Sequence, residues 1–180
     1  MQSVKLNDKY FELYMERALI EARIAEIGRE LTEKYAAAKP LVIGILNGSF
    51  VFVADMVRAL PFELEIEFVK IASYQGTTST GTTVQEISLK KSIAGRTVII
   101  LEDIIDSGLT IKNFLETIQV QQPKEVCLVT LLSKPSAHQF ELPIDIVGFE
   151  IPNDFVVGYG LDYDGLGRNL DALYRVVEEE

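Results

Sequence analysis

A chain of 180 residues, 48% of them hydrophobic, has the size and apolar content of one folded domain, expected to span 1–180. Its formal net charge of −10 argues against the cationic surface that nonspecific nucleic-acid binding needs. No basic region leads into an apolar one at the start, and no stretch approaches the roughly 20 apolar residues of a membrane helix, so neither a secretory signal nor a membrane partner is expected.

In chain order, Ile20, Ile24, Ile27 and Leu31 recur at helical spacing and predict an amphipathic helix over Glu16 to Tyr35, closed off by Pro40. Leu41 to Leu46 reads as an aliphatic strand. Asn47-Gly48-Ser49 follows, and then a helix from Phe50 to Leu60, ended by Pro61. The Asn47 loop is a tight turn or a site for an anionic group. Leu64 to Ala72 reads as a strand. The run 73–83 is short of apolar residues and rich in hydroxyls and glycine, as an active-site lid would be. Val84 to Leu89 resumes as a strand, which makes the run the tip of a long hairpin.

The central stretch is Val98-Ile99-Ile100-Leu101-Glu102-Asp103-Ile104-Ile105-Asp106-Ser107-Gly108-Leu109-Thr110. Four aliphatic residues read as a strand buried on both faces. Two adjacent carboxylates then break the pattern, and a third acid precedes a small-residue helix start. The helix, Leu109 to Gln121, carries Ile111, Phe114, Leu115 and Ile118 on one side. The first amides of a helix lack intrahelical acceptors and sit at the positive end of its dipole, which suits a phosphate. Glu102 and Asp103 suit ribose hydroxyls or a divalent cation. The alternative is a solvated strand end with Asp106 as a plain N-cap.

Val126 to Leu132 is the next strand and holds Cys127, the one cysteine. A single cysteine excludes an intrachain disulfide and a cysteine-built zinc cluster, and fits a reducing cytoplasm. Lys134 at the strand's carboxyl end faces a ligand or snorkels to solvent. His138, the only histidine, reads as a surface residue, so histidine acid–base chemistry is not expected. Ile144 to Phe149 is another strand. In 153–168, Phe155 offers a stacking surface, and Asp162 and Arg168 suit a metal and an anion. Leu173 to Val177 reads as a short strand, and Glu178 to Glu180 as a solvated tail. Alternating β and α segments predict a mainly parallel, twisted α/β sheet flanked by helices.

The run VIILEDIIDSGLT closely resembles the phosphoribosyl-pyrophosphate motif of type I phosphoribosyltransferases, and IPNDFVVGYGLDY narrows the resemblance to the hypoxanthine-guanine branch. The resemblance extends from about Ile20 to Arg168. It implies that fold, with a small hood and a long flexible hairpin loop, and transfer of a phosphoribosyl group to a 6-oxopurine with release of pyrophosphate. It also implies roles. Asp106 is the general base at purine N7. Asp106, Ser107, Gly108, Leu109 and Thr110 hold the 5′-phosphate. Glu102 and Asp103 contact the ribose and, with Asp162, magnesium. Lys134 reads the C6 oxygen, while Phe155 and Val156 meet the base beside Asp162. Asn47, Gly48 and Arg168 meet pyrophosphate, with an unusual cis peptide common at that loop, and Ser73 and Tyr74 begin the lid.

Asn47 departs from the Lys or Arg that many relatives carry, and Gly165 and Gly167 are expected to loosen the loop that carries Arg168. The implied partners are a purine base, phosphoribosyl pyrophosphate and one or three further copies of the chain, in the cytoplasm. Two alternatives remain: a phosphoribosyl-pyrophosphate sensor with the same fold, and a xanthine-preferring transferase.

Overall fold

Strands covered on both faces need no polar face, and the segments 41–45, 97–101 and 127–132 are buried throughout. The computed structural model describes residues 3–71 and 89–177. In it, β3 (Leu41–Leu46), β4 (Glu65–Lys70), β5 (Thr97–Ile105), β6 (Glu125–Ser133) and β7 (Ile146–Glu150) form a parallel sheet in the order β4-β3-β5-β6-β7. Alternate β5 residues point to opposite faces. Ile99 and Leu101 meet α1 (Arg17–Tyr35) and α2 (Phe50–Arg58) on one side. Val98 and Ile100 meet α3 (Leu109–Val120) on the other. The residues predicted to face the core, Ile20, Ile24, Ile27 and Leu31 of α1 and Ile111, Phe114, Leu115 and Ile118 of α3, are all buried.

A second sheet is antiparallel, in the order β1-β2-β9-β8, from β1 (Ser3–Leu6), β2 (Lys9–Met15), β8 (Val156–Val157) and β9 (Leu173–Val176). This is the hood. The sequence pattern predicts its C-terminal strand but not the N-terminal hairpin. A small core of Phe11, Val157, Ala172 and Tyr174 holds it together.

Most element ends fall within two residues of the predicted ones. The consequential difference lies in β5. The reading ends its aliphatic run at Leu101, yet the ladder to β6 continues from Glu102 opposite Thr130 to Ile105 opposite Ser133. The two acids are therefore strand residues, held by sheet hydrogen bonds, and not part of a loop. The predicted hairpin over 73–83, the strand from Val84 and the Glu178 to Glu180 tail lie outside the described residues. Among the described residues, no helix is long and apolar enough to cross a membrane.

Candidate active site

A cleft of about 320 Å³ opens at the carboxyl ends of β3, β5 and β6, beneath the hood. Open α/β sheets bind ligands at this end of the strands. Eleven of the residues singled out in the sequence line it: Asn47, Gly48, Glu102, Asp103, Asp106, Thr110, Lys134, Phe155, Val156, Asp162 and Arg168. Ser107, Gly108 and Leu109 complete the turn between Asp106 and Thr110 without lining the cleft. Ser73 and Tyr74, read as the start of a lid, lie outside the described residues.

The floor is the acid pair. Asp103 is buried, and burial raises its carboxyl above the usual range, although hydrogen bonds and nearby Arg168 oppose the shift. Glu102 is pushed well above its ordinary value, first by burial and then by the charge of Asp103, with which it shares a hydrogen bond. One oxygen, Glu102 Oε2, is sealed from solvent and has no hydrogen-bond partner among the described residues. A buried, unpartnered carboxylate oxygen is costly unless something else satisfies it. Gly48 presses against this pair so closely that a Cβ there would overlap the Asp103 carboxylate. The Leu46–Asn47 peptide preceding it is cis.

At the next corner, Gly108, with φ of 82°, is the N-cap of α3, so Asp106 is not the cap. Asp106 is left to the cleft, where Lys134 Nζ donates to its Oδ2 at 2.8 Å. The lysine side chain is only 7% exposed and the carboxylate 54%. Lys134 thus points inward rather than snorkelling. Its backbone N–H donates to Ile105 O at 2.9 Å, and Gln139 N–H donates to Ser107 O at 3.0 Å, which ties the end of β6 to the turn. His138 corrects its surface reading: it is partly buried and hydrogen-bonded to buried Ser133 at 3.2 Å.

The opposite wall comes from 155–168. Phe155 lines the cleft and is 43% exposed. Asp162 and Arg168 face the cleft as an ion pair at 2.6 Å, and Arg168 also donates to Gly160 O at 2.8 Å. The loop expected to be loose is tied at both ends: Gly165 N–H donates to Asp162, and Gly167, at φ of 96°, packs on Leu6. Among the described residues, no group of three or more His, Cys, Asp or Glu is spaced to hold a metal alone. Asp162, offered to magnesium together with Glu102 and Asp103, is paired with Arg168.

Sequence reasoning missed the apolar lining: Ile45, Leu46, Ile71, Ile104 and Leu161. Ile104 offered a signal. It lies between Asp103 and Asp106 on a strand, where alternation sends a side chain toward one face or the other.

A model of the phosphoribosyl transferase domain matches residues 14–164. The hypoxanthine phosphoribosyltransferase of Salmonella typhimurium is 41% identical over 169 residues, covering 92% of this chain and 95% of that protein. The hypoxanthine-guanine phosphoribosyltransferase of Mycobacterium avium is 45% identical over 161 residues, covering 86% and 79%. The crystal structure of a hypoxanthine phosphoribosyltransferase from Staphylococcus aureus superposes with a TM-score of 0.85 at 38% identity, covering 92% and 91% of the two chains.

Proposed function

The chain belongs to the phosphoribosyl transferase family, and on that footing we propose that it is a purine salvage enzyme, which moves the 5-phosphoribosyl group from phosphoribosyl pyrophosphate to hypoxanthine or guanine. The products are IMP or GMP and pyrophosphate. The observation that carries this reading is the Lys134–Asp106 pair, 2.8 Å apart at the cleft. On a 6-oxopurine, N7 and the C6 oxygen lie side by side on one edge. An acceptor beside a donor matches a protonated N7 beside an oxygen. Adenine carries an amine at C6, so the ammonium would face a donor and leave polar groups unpaired.

Phe155 stacks on the base and the Val156 backbone meets its edge. The turn 106–110 at the start of α3 grips the 5′-phosphate, which fixes the sugar beside Glu102 and Asp103. Asn47, Gly48 and Arg168 receive the pyrophosphate. As the base bonds to the anomeric carbon and the bond to pyrophosphate breaks, positive charge builds on the sugar, and Asp106 accepts or relays the N7 proton. A contact of this kind contributes about 10²–10⁴-fold.

Magnesium suits the donor set. Glu102 Oε2 lacks a partner among the described residues, and this cation is held by one or two carboxylates while substrate phosphates complete its shell. Glu102 and Asp103 would hold it, with Asp162 joining once it parts from Arg168. When bound, it neutralises charge on the departing pyrophosphate. The whole chain acts as one catalytic domain, assembled as a homodimer or homotetramer. A reducing cytoplasm accords with Cys127, a buried free thiol pushed up to about 11 chiefly by burial.

The test is one assay. The protein is incubated with magnesium, phosphoribosyl pyrophosphate and each purine base in turn, and nucleotide is followed. IMP or GMP should form and AMP should not. No nucleotide from any 6-oxopurine would overturn the reading.

A further inference from the structure

The N-terminal hairpin belongs to the hood sheet and not to the sheet that builds the cleft floor, yet it reaches the wall that carries Phe155. Phe11 of β2 is fully buried, with its ring centroid 6.3 Å from Phe155 and 6.0 Å from Tyr163. Phe155 and Tyr163 meet edge to face at 5.8 Å. Aromatic rings favour such tilted pairs. From the hairpin turn, Asp8 Oδ1 accepts the Tyr163 hydroxyl at 2.8 Å, and Lys9 Nζ stands 5.1 Å over the Tyr163 ring and 5.9 Å over that of Phe155. The Tyr163 hydroxyl is the main reason the Asp8 carboxyl lies below its ordinary value. The backbone repeats the link: β9 pairs with β2, and Val176 N–H donates to Phe155 O at 3.0 Å.

We propose that the N-terminal hairpin is part of the base-binding wall, with Asp8, Lys9, Phe11 and Tyr163 as positioning residues that hold the Phe155 ring for stacking. The inference rests on the role proposed for Phe155. None of the four reacts with substrate. They act by removing the ring's freedom to swing, so that base binding does not carry the entropy of ordering it. A loose ring would weaken the base without touching the phosphate turn, which β5 and α3 build separately.

Asp8 is exposed, so Asp8→Ala and Tyr163→Phe should leave the fold intact. Each should raise the KM for the base about three- to tenfold, leave the KM for phosphoribosyl pyrophosphate within about twofold, and change kcat little. Asp8→Asn keeps an acceptor for the tyrosine and should restore most of the loss. The double variant should be no worse than either single one, because both remove the same bond.

Amide hydrogen exchange over 155–163 without substrate should quicken in both single variants. Unchanged exchange overturns the inference whether or not the protein turns over. So does an unchanged KM for the base, or equal rises in both KM values. If the unaltered protein makes no nucleotide from any purine, the proposed function fails and the exchange result alone judges the hairpin.

Discussion

The two walls of the cleft are built by different means. On the phosphate side, parallel strands and the start of α3 place Glu102, Asp103, Asp106 and Lys134, with backbone bonds fixing register residue by residue. On the base side, side chains hold 155–168 against a hairpin at the other end of the chain; Asp8 and Tyr163 are 155 positions apart. The first wall is stiff because β5 is paired on both sides in one parallel sheet. The second hangs on the short β8–β9 ladder, the turns that follow it and a few aromatic and polar contacts. Chemistry that demands fixed charge sits on the first wall, and recognition of a flat base sits on the second.

The largest effect should come from the stiff wall. Asp106→Asn should lower kcat by about 10²–10⁴-fold while the affinity for phosphoribosyl pyrophosphate holds, as initial rates and direct binding would show. Unchanged turnover removes Asp106 from the chemistry.

Lys134→Ala should come next, costing roughly 10- to 100-fold in kcat/KM for 6-oxopurines and losing the preference over adenine, since a buried charged hydrogen bond contributes about 1.5–3 kcal/mol. Retained discrimination would move base recognition wholly to the other wall.

Asn47→Arg should be smaller and of opposite sign. A cation restored beside pyrophosphate at this exposed position should lower the KM for phosphoribosyl pyrophosphate roughly three- to tenfold. An equal or higher KM would mean that the charge is already supplied, with Arg168 the nearest source.

The last prediction concerns stability. The Glu102 carboxyl lies well above its ordinary value in the folded chain, so the folded state prefers it neutral. That stability is present below the unfolded value near 4.5 and is lost as pH rises through the raised one. The melting temperature of the ligand-free protein should therefore fall as pH climbs across that window. Glu102→Gln should flatten the fall and lose activity, and magnesium with phosphoribosyl pyrophosphate should flatten it in the unaltered protein. A profile of Glu102→Gln that tracks the unaltered one would assign the pH dependence to other groups.

The same contrast explains what the sequence made legible. The stiff wall is local: an aliphatic run, two acids and a small-residue helix start lie within thirteen positions, and period and burial suffice to read them. The run misleads only where the acids enter, because β5 carries polar residues within its ladder and the pattern takes polarity for a strand end. The base-side wall is not local. Asn7-Asp8 between alternating residues was a turn signal, and Asn7 does adopt a positive φ of 50°. β1 and β2 pair locally, but what seats that hairpin in the hood is the pairing of β2 with β9 near the other terminus, which no window of sequence contains. His138 went astray for a related reason: its partner, Ser133, sits at a strand end whose burial depends on the rest of the sheet.

The most direct measurement is the ratio of kcat/KM for hypoxanthine over adenine, with phosphoribosyl pyrophosphate and magnesium saturating. An ammonium and a carboxylate side by side predict a ratio on the order of 10³ or more. A ratio near one in the unaltered protein would contradict the account, because then the Lys134–Asp106 pair does not read the purine edge.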